Sequence, residues 1–190
     1  MSCGEDMSKV NLENILNRLR VRVGLFLAIA VVLLARPSWR SILPGVLISF
    51  MGLAIRAWAS GHLCKEKTLA VSGPYCYSRN PLYVGNFLLG IGIVVGARSW
   101  WVLGLFIIYY GVFYPLIIRR ERDRMRKLFP QQYEEYRKRV PLFFPSIRKH
   151  LPAEGKFSRS LYRQNKEYRA LQGTVLIWLI LAAKLIILNR

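Results

Sequence analysis

The sequence predicts an all-α integral membrane protein with about five transmembrane helices. Of its 190 residues 53% are hydrophobic, yet 29 basic side chains stand against only 10 acidic ones, which gives a formal net charge of +19. The apolar residues are gathered in runs and the charges lie between the runs, as in a chain that crosses a bilayer repeatedly. This combination excludes both a soluble globular core and a disordered chain.

The predicted spans are residues 21–35, 43–59, 82–97, 100–118 and 173–188. Each is close to or slightly below the roughly 20 residues that a bilayer requires. The first could pass for a signal-peptide core, but a poor cleavage site and further spans follow it, so we interpret it as a retained helix. Residues 96–99 join the third and fourth spans as an antiparallel hairpin. The fifth is the weakest, because Lys184 interrupts it and it could lie along the surface instead.

The basic residues predict the orientation of the spans. Residues 119–172 carry 16 of the 29 basic side chains, and the positive-inside rule places them in the cytoplasm. Counting back puts residues 61–80 and the N-terminus on the cytoplasmic side too, with residues 36–42 and 96–99 outside. Because these charges flank spans and face an anionic leaflet, no nucleic-acid partner is expected. Three cysteines without a Cys-x-x-Cys pair indicate neither a disulfide framework nor a zinc site.

A defined motif precedes the third span. Residues 73–74 are a Gly-Pro turn, and residues 80–81 are an Asn-Pro helix start, with Asn at the cap and Pro at the first helical position. Arg79 stands beside the cap, and Tyr75 and Tyr83 lie on either side. The positive end and free amides of such a helix suit the carboxylate of a small ligand. The alternative is structural: the Asn only caps the helix, and the tyrosines sit at the membrane interface.

A second motif spans residues 119–141. Prolines at 130 and 141 bracket a short helix whose spacing allows two i,i+4 ion pairs, Glu134–Lys138 and Glu135–Arg139. One face of this helix carries Tyr133, Tyr136 and Val140. From these residues alone, it is an amphipathic helix lying on the membrane. Glu121 differs, because it falls among arginines where the fourth span leaves the bilayer and could be drawn toward a ligand pocket.

Together the two motifs resemble the isoprenylcysteine carboxyl methyltransferase family of integral membrane enzymes. The related membrane phospholipid methyltransferases share the pattern more loosely. The resemblance covers about residues 52–145 and rests on residues 73–75, 79–85, Glu121, Phe129, Tyr133, Tyr136 and 139–141.

The resemblance implies an enzyme that uses S-adenosyl-L-methionine, releases S-adenosyl-L-homocysteine and methylates a lipid-borne or prenylated acceptor. Its cofactor pocket would face the cytoplasm. The implied cofactor contacts, with Arg79 added from the motif itself, are Lys67, Thr68, Leu69, Ala70, Tyr75, Arg79, Asn80, Pro81, Leu82, Tyr83 and Glu121. The candidate catalytic residues are Glu121, Arg120 and Arg119. Weaker candidates for substrate contact are Arg56, expected to face the pocket or to snorkel to the interface, and His62; no metal is expected.

Three positions depart from the family pattern. Asn80 replaces the usual histidine, which keeps a hydrogen-bonding cap but removes a titratable group. Pro130 stands where a glycine is usual. Ile117 takes the place of the arginine that the family assigns to substrate, so Arg119 or Arg120 would have to replace it from the next turn.

We therefore interpret the chain as one membrane methyltransferase domain. Its parts are an amphipathic segment (1–20), a cofactor-binding core (61–141), a basic cytoplasmic linker (142–172) and a C-terminal hydrophobic helix (173–190). The tryptophans are expected to anchor it at the interfaces, namely Trp39, Trp58, Trp100, Trp101 and Trp178.

The acceptor stays open among a prenylcysteine, a phospholipid amine and a small isoprenoid. Methyl transfer from a sulfonium is an in-line displacement that needs positioning and exclusion of water rather than a nucleophilic side chain. Because Asn80 cannot take a proton, an oxygen acceptor is slightly favoured over an amine. The alternative from another class is a non-catalytic membrane protein whose basic tail binds lipid or a partner. Nothing in the sequence indicates the oligomeric state.

Overall fold

The computed structural model describes residues 22–64, 68–146 and 155–188. Within these ranges the chain is helical and has no strand, as predicted. The helices are α1 (Arg22–Leu34), α2 (Trp39–Ser60), α3 (Pro81–Ala97), α4 (Trp100–Leu128), α5 (Pro130–Arg139), α6 (Arg159–Gln164) and α7 (Tyr168–Leu188). A 3₁₀ turn at Gly73–Cys76 precedes α3. The predicted amphipathic segment 1–20 lies outside the described residues.

Three helices, α2, α4 and α7, are long and apolar enough to cross a membrane, and α1 and α3 are shorter apolar helices. The chain is thus an α-helical membrane protein, as the sequence predicted. Helix α7 begins at Tyr168 rather than at residue 173. Helix α4 continues beyond the predicted end at residue 118, and its 29 residues measure about 43 Å at 1.5 Å per residue. Since a bilayer core is about 30 Å thick, the arginine-rich last turns of α4 project beyond it.

One end of the bundle, the hairpin end, gathers the last turn of α1, the link between α3 and α4, and the last turns of α7. The N–H of Arg36 donates to the carbonyl of Ala97 at 2.7 Å. The ammonium of Lys184 in α7 donates to the carbonyls of Val32 and Leu33 at 2.6 and 2.9 Å. Those carbonyls end α1 and have no partner within the helix. Lys184, which the sequence left without a role, therefore caps α1, and the C-terminal ends of α1 and α7 lie side by side.

Helices α2 and α3 are in close contact through small residues. A β-carbon placed on Gly52 would lie 2.5 Å from the carbonyl oxygen of Gly85, and one on Gly92 would lie 2.5 Å from that of Gly45. The hydroxyl of Ser49 bridges the same interface by donating to the carbonyl of Leu89 at 3.3 Å. Small residues at matched spacing on two apolar helices allow this backbone approach.

The core at the hairpin end forms around Trp178, which corrects one prediction. Trp178 is only 6% exposed and packs with four small or aliphatic residues, namely Ala35, Ala97, Val102 and Leu181. Its ring lies over Gly96, where a β-carbon would overlap it. The predicted role of Trp178 as an interface anchor is therefore wrong, because the glycine on α3 leaves a buried space that the indole fills. The other tryptophans are exposed on α2 and α4 (Trp39, Trp58, Trp100, Trp101).

Candidate active site

A cavity of about 490 Å³ lies at the other end of the bundle, between the loop after α2, the start of α3, the C-terminal half of α4 and the helix α5. This volume falls in the range of small-molecule sites in proteins. The cavity therefore forms where the chain's two sequence motifs meet.

Most of the sequence-predicted site residues line this cavity: Thr68, Leu69, Ala70, Tyr75, Arg79, Asn80, Tyr83, Arg120 and Glu121. Pro81 and Leu82 lie in the first turn of α3 but are not part of the cavity lining. Arg119 is exposed and also lies off the cavity. Lys67 falls outside the described residues. Of the two arginines considered as replacements for the residue at Ile117, the structure thus brings Arg120 to the cavity.

The two weaker candidates lie elsewhere. The Nε of Arg56 is 2.5 Å from Oε1 of Glu167, which is buried, and the same guanidinium donates to Asn86 on α3. Arg56 therefore does not line the cavity, and a carboxylate far along the chain offsets the cost of burying its charge. His62 also lies off the cavity: its Nδ1 is 3.0 Å from the carbonyl oxygen of Trp58.

The turn before α3 depends on that histidine and on a glycine. Gly73 adopts φ +58°, in the left-handed region that favours glycine. A β-carbon there would lie 2.7 Å from the imidazole ring of His62. The Gly-Pro turn predicted from the sequence is thus required both by backbone conformation and by packing, and it orients Tyr75 toward the cavity.

Helix α5 closes the cavity from one side. Tyr133, Tyr136 and Val140 are buried together and pack on Leu69 and Met125, so the predicted shared face is confirmed. The phenol of Tyr136 donates to the carbonyl of Tyr75 at 2.8 Å. The apolar face of α5 is thus buried against protein, whereas the position of α5 relative to the membrane stays a prediction.

The segment after α5 runs beside the start of α3 and is hydrogen-bonded to it. The N–H of Arg79 donates to the carbonyl of Pro141 at 2.9 Å, and the side-chain amide of Asn80 donates to that of Leu142 at 2.8 Å. Asn80 is the N-cap residue and Pro81 the first helical residue, as predicted, but the Asn80 side chain makes no capping hydrogen bond. One donor of Asn80 is thus committed to positioning the chain after α5.

Glu134 fastens α5 to α4. Its carboxylate is 3.0 Å from the Nε of Arg126 and also pairs with Arg137, rather than with Lys138 as the i,i+4 spacing had indicated. Partial desolvation opposes ionisation of this carboxyl, but the hydrogen bonds from the two arginines outweigh it and lower the pKa of Glu134. The predicted Glu134–Lys138 pair is wrong because the spacing within one helix does not reveal a cation such as Arg126 on the preceding helix.

One wall of the cavity belongs to α4, and sequence reasoning missed most of it. The wall residues missed on α4 are Phe113, Leu116, Arg122, Arg124 and Met125, and those missed on the loop after α2 are Leu63 and Cys64. Ile117, which the sequence analysis noted only as a departure from the family pattern, also lines the cavity. The spacing of these residues could have identified the wall. Phe113 and Ile117 precede Glu121 by eight and four residues, which places all three on one helical face. The hydroxyl of Tyr110 donates to the carbonyl of Tyr83 at 2.7 Å and ties α4 to the start of α3.

The electrostatics of the cavity favour a ligand that carries both a negative and a positive group. Among the described residues, four arginines and one glutamate line the cavity, namely Arg79, Arg120, Arg122, Arg124 and Glu121. The guanidinium of Arg79 lies over the Tyr133 ring, 6.0 Å from its centroid, and its buried Nε has no hydrogen-bond partner among the described residues. Burial, followed by the charge of Glu121, raises the pKa of Tyr75, so its phenol stays protonated at neutral pH. Within the described ranges, no group of three or more His, Cys, Asp or Glu side chains could hold a metal.

The fold is that of a helical membrane protein with a cavity lined by charged residues at one end of its bundle. The profile of the phospholipid methyltransferase family matches residues 26–132, more than half of the chain. The chain therefore belongs to the phospholipid methyltransferase family and is a membrane methyltransferase, as the resemblance in its two motifs had indicated.

Three curated relatives are similar to parts of the chain. The cobalt-zinc-cadmium resistance protein CzcN of Cupriavidus metallidurans is 31% identical over 148 residues, covering 72% of this chain and 68% of that protein. The nickel-cobalt-cadmium resistance protein NccN of Alcaligenes xylosoxydans is 30% identical, covering 54% of this chain and 49% of NccN. The protein-S-isoprenylcysteine O-methyltransferase of Schizosaccharomyces pombe is 32% identical over 83 residues, covering 44% and 35%. No solved structure matches the chain significantly.

Proposed function

We propose that the protein transfers the methyl group of S-adenosyl-L-methionine to a lipid-borne acceptor, in a reaction resembling isoprenylcysteine carboxyl methylation. The observation that carries the proposal is the presence of Glu121, on α4, and Arg79, beside the start of α3, in the lining of the same cavity. The donor has an ammonium and a carboxylate on the same small molecule, and these two side chains offer the matching charges.

The cavity residues fit this donor. The unpartnered Nε of Arg79 is a buried donor that a carboxylate would satisfy, and leaving it unpaired is costly. Glu121 can accept from an ammonium or from ribose hydroxyls. Aromatic and aliphatic side chains, among them Tyr75, Phe113 and Met125, offer the flat apolar surface that an adenine ring requires.

In this proposal the chain's own residues bind and orient, and no side chain becomes a nucleophile. The donor supplies an electrophilic methyl group on a sulfonium. The carbon–sulfur bond breaks as the bond to the acceptor forms, and an ionised carboxylate acceptor has no proton to lose. Asn80 and the protonated Tyr75 cannot act as bases at neutral pH, which favours such an oxygen acceptor over an amine. The tyrosines of α5 line the cavity, and in this proposal they help to exclude water from the transferred methyl group.

Arg120 is proposed to bind the acidic group of the acceptor. It stands on the cavity wall one turn from Ile117, where the resemblance places the substrate arginine, and it is half-buried. Arg119 is exposed and cannot serve this purpose from its position. A carboxylate or phosphate on a lipid fits such a guanidinium; a prenylcysteine, a phospholipid and a small isoprenoid acid remain the acceptor classes.

We also propose that the whole chain is one multi-pass domain with its N-terminus and cavity in the cytoplasm. The support is the basic segment 119–172 and the neighbouring C-terminal ends of α1 and α7. Tags at the N-terminus and within residues 152–157 are expected to be cytoplasmic, and a tag after residue 190 external. A cytoplasmic C-terminal tag would exclude the fifth crossing without affecting the enzymatic proposal.

The first test is binding of S-adenosyl-L-homocysteine to the full-length protein purified in detergent, measured by calorimetry. Saturable binding with S-adenosyl-L-homocysteine, and none with adenosine alone, is expected. Absence of binding at millimolar ligand would refute the proposal and favour the non-catalytic membrane protein with a basic lipid- or partner-binding tail.

The second test identifies the acceptor. Full-length protein is incubated with methyl-labelled donor and a membrane lipid extract, and the labelled lipid is isolated. A carboxyl methyl ester releases its label as methanol in mild base, whereas an N-methylated lipid retains it. The proposal expects a base-labile product and a reduced yield with Arg120→Gln; a base-stable label would exclude a carboxylate acceptor and point to an amine or a hydroxyl.

A further inference from the structure

The segment between Phe157 and Glu167 is fastened to the turn that follows α2. The N–H of Ser158 donates to the carbonyl of Gly61 at 2.9 Å. The side-chain amide of Asn165 donates to the carbonyls of Ser60 and Leu63 at 3.0 and 2.9 Å. One side chain thus satisfies two backbone acceptors on either side of a tight turn.

Two further contacts hold the same segment in place. The Phe157 ring lies 6.3 Å from that of His62, centroid to centroid, and covers Gly61, where a β-carbon would overlap it. The buried Glu167 pairs with Arg56, which also binds Asn86 on α3. We call residues 157–167 the clasp.

The clasp is connected to the cavity without lining it. Leu63 and Cys64, in the turn that Asn165 holds, stand on the cavity wall. His62, under the Phe157 ring, supports the Gly73 turn from which Tyr75 projects into the cavity. The clasp therefore contacts residues that support two parts of the cavity wall. It holds the turn at residues 60–64 directly and supports the Gly73 turn through His62.

The family match does not account for this segment, since it ends at residue 132. The two carbonyls that Asn165 binds do not require a protein donor, because a carbonyl in a surface turn can be satisfied by water. A side chain that replaces water at two carbonyls fixes their separation and so limits the conformations of the turn.

We propose that Asn165 is a positioning residue for the donor cavity: by holding the carbonyls of Ser60 and Leu63, it keeps Leu63 and Cys64 in the conformation that binds the methyl donor. The inference rests on the proposed function for the identity of the donor. The position of the turn itself can be tested without any ligand.

The variant is Asn165→Asp, which keeps size but turns a carboxylate toward two carbonyl oxygens. Its matched control is Gln164→Glu, the same amide-to-carboxylate change on an exposed neighbour. Both are made in full-length protein carrying Cys3→Ser, so that Cys64 and the buried Cys76 are the remaining thiols. The rate of Cys64 alkylation by a maleimide reports the position of the turn, and an unreactive Cys76 reports an intact fold.

Asn165→Asp is expected to speed Cys64 alkylation several-fold and to weaken S-adenosyl-L-homocysteine binding about tenfold, with Gln164→Glu like the parent. Equal rates and affinities in the two variants would overturn the inference. If Cys76 reacts in Asn165→Asp, the uncharged Asn165→Ala replaces it under the same criteria. Should the parent protein bind no S-adenosyl-L-homocysteine, the proposed function fails, while the alkylation rates still decide whether Asn165 holds the turn.

Discussion

The α2–α3 pair and the α3–α4 pair are built from similarly apolar helices and yet pack in opposite ways. Between α2 and α3, glycine backbones approach so closely that a β-carbon would clash, as at Gly52 and Gly92. Between α3 and α4, aromatic rings fill the space: Phe87 lies 4.9 Å from Tyr110, centroid to centroid, and that tyrosine stacks on Tyr114 at 3.7 Å. In α4, all of which the structure describes, only Val102 is buried.

The difference shows how a cavity can form between helices in lipid, where the hydrophobic effect does not drive helices together. Small residues draw α2 and α3 together through dispersion contacts, whereas rings on α3 and α4 act as spacers. The rigid pair fixes the start of α3, and the spaced helix leaves room beside it. The spacing of α3 and α4 therefore leaves room for the cavity, and the loop after α2 and the helix α5 complete its walls.

The largest expected effect comes from filling the tight interface. Gly52→Val places a branched side chain 2.5 Å from the backbone of α3, and overpacking of this kind costs about 3 kcal/mol or more. We expect loss of most monodisperse protein after mild heating in detergent, followed by size-exclusion chromatography. Gly111→Val on α4 is the control, because nothing lies within 4 Å of its β-carbon position. Equal heat resistance of the two variants would contradict the packing difference.

The second-largest effect is expected on α4, where Glu121 lines the cavity. Glu121→Gln keeps size and helix propensity but removes a charge-assisted hydrogen bond worth about 1.5 to 3 kcal/mol. Affinity for S-adenosyl-L-homocysteine should fall roughly tenfold to a hundredfold, with little change in melting. Asp123→Asn is the control, since Asp123 is exposed and pairs with Arg122 at 3.0 Å. If both variants lose affinity equally, the general field of the basic segment matters and Glu121 makes no specific contact.

A smaller effect is expected at the hairpin end. Lys184→Met removes the ammonium that caps α1 while keeping an unbranched side chain, which should destabilise the protein by about 1 kcal/mol. Thermal melting in detergent measures the loss, and Lys184→Arg should recover most of it. Donor affinity should be unchanged in both, because the cap lies at the end of the bundle away from the cavity. A selective loss of affinity would show that the two ends are coupled.

The smallest effect is a pH dependence at the α4–α5 junction. Because the pKa of Glu134 is lowered in the folded state, its ion pairs stabilise the protein above the unfolded-state value of about 4.3 and are lost as the pH falls through the folded value. Glu134→Gln should therefore lower the melting temperature slightly at pH 7, and this difference should shrink as the pH falls below about 4.3. Glu135→Gln, on the exposed neighbour, should show no such pH dependence. A difference that stays constant as the pH falls would point to packing rather than charge.

Sequence reasoning succeeded where the signal is local. The helix start at Asn80 and Pro81, and the shared face of Tyr133, Tyr136 and Val140, follow from residues within a few turns of each other. It failed where the partner is distant in sequence. Trp178 is buried because Gly96 leaves space for it. Arg56 is paired with Glu167, which lies 111 residues away in the sequence. No single-sequence periodicity contains such pairings.

The same reasoning explains the cavity residues. Glu121 was identified because an acidic side chain among arginines is unusual, whereas Phe113 and Ile117 look like ordinary lipid-facing residues of an apolar helix. Only their spacing from Glu121 marks them. The roles of Asn165 and Glu167 had no local signal, since each acts on the turn after α2 or on Arg56 through a contact across the fold.

The cap that Lys184 places on α1 has a consequence for biosynthesis. The ribosome completes Lys184 152 residues after Val32, which at about 5 to 20 residues per second is on the order of 10 to 30 seconds later. During that interval the last carbonyls of α1 must be satisfied by water or lipid headgroups at the membrane surface. Helix α1 thus reaches its final hydrogen bonding only after α7 has been synthesised and packed beside it. Partly synthesised chains should accordingly be more exposed to quality-control proteases than the finished protein.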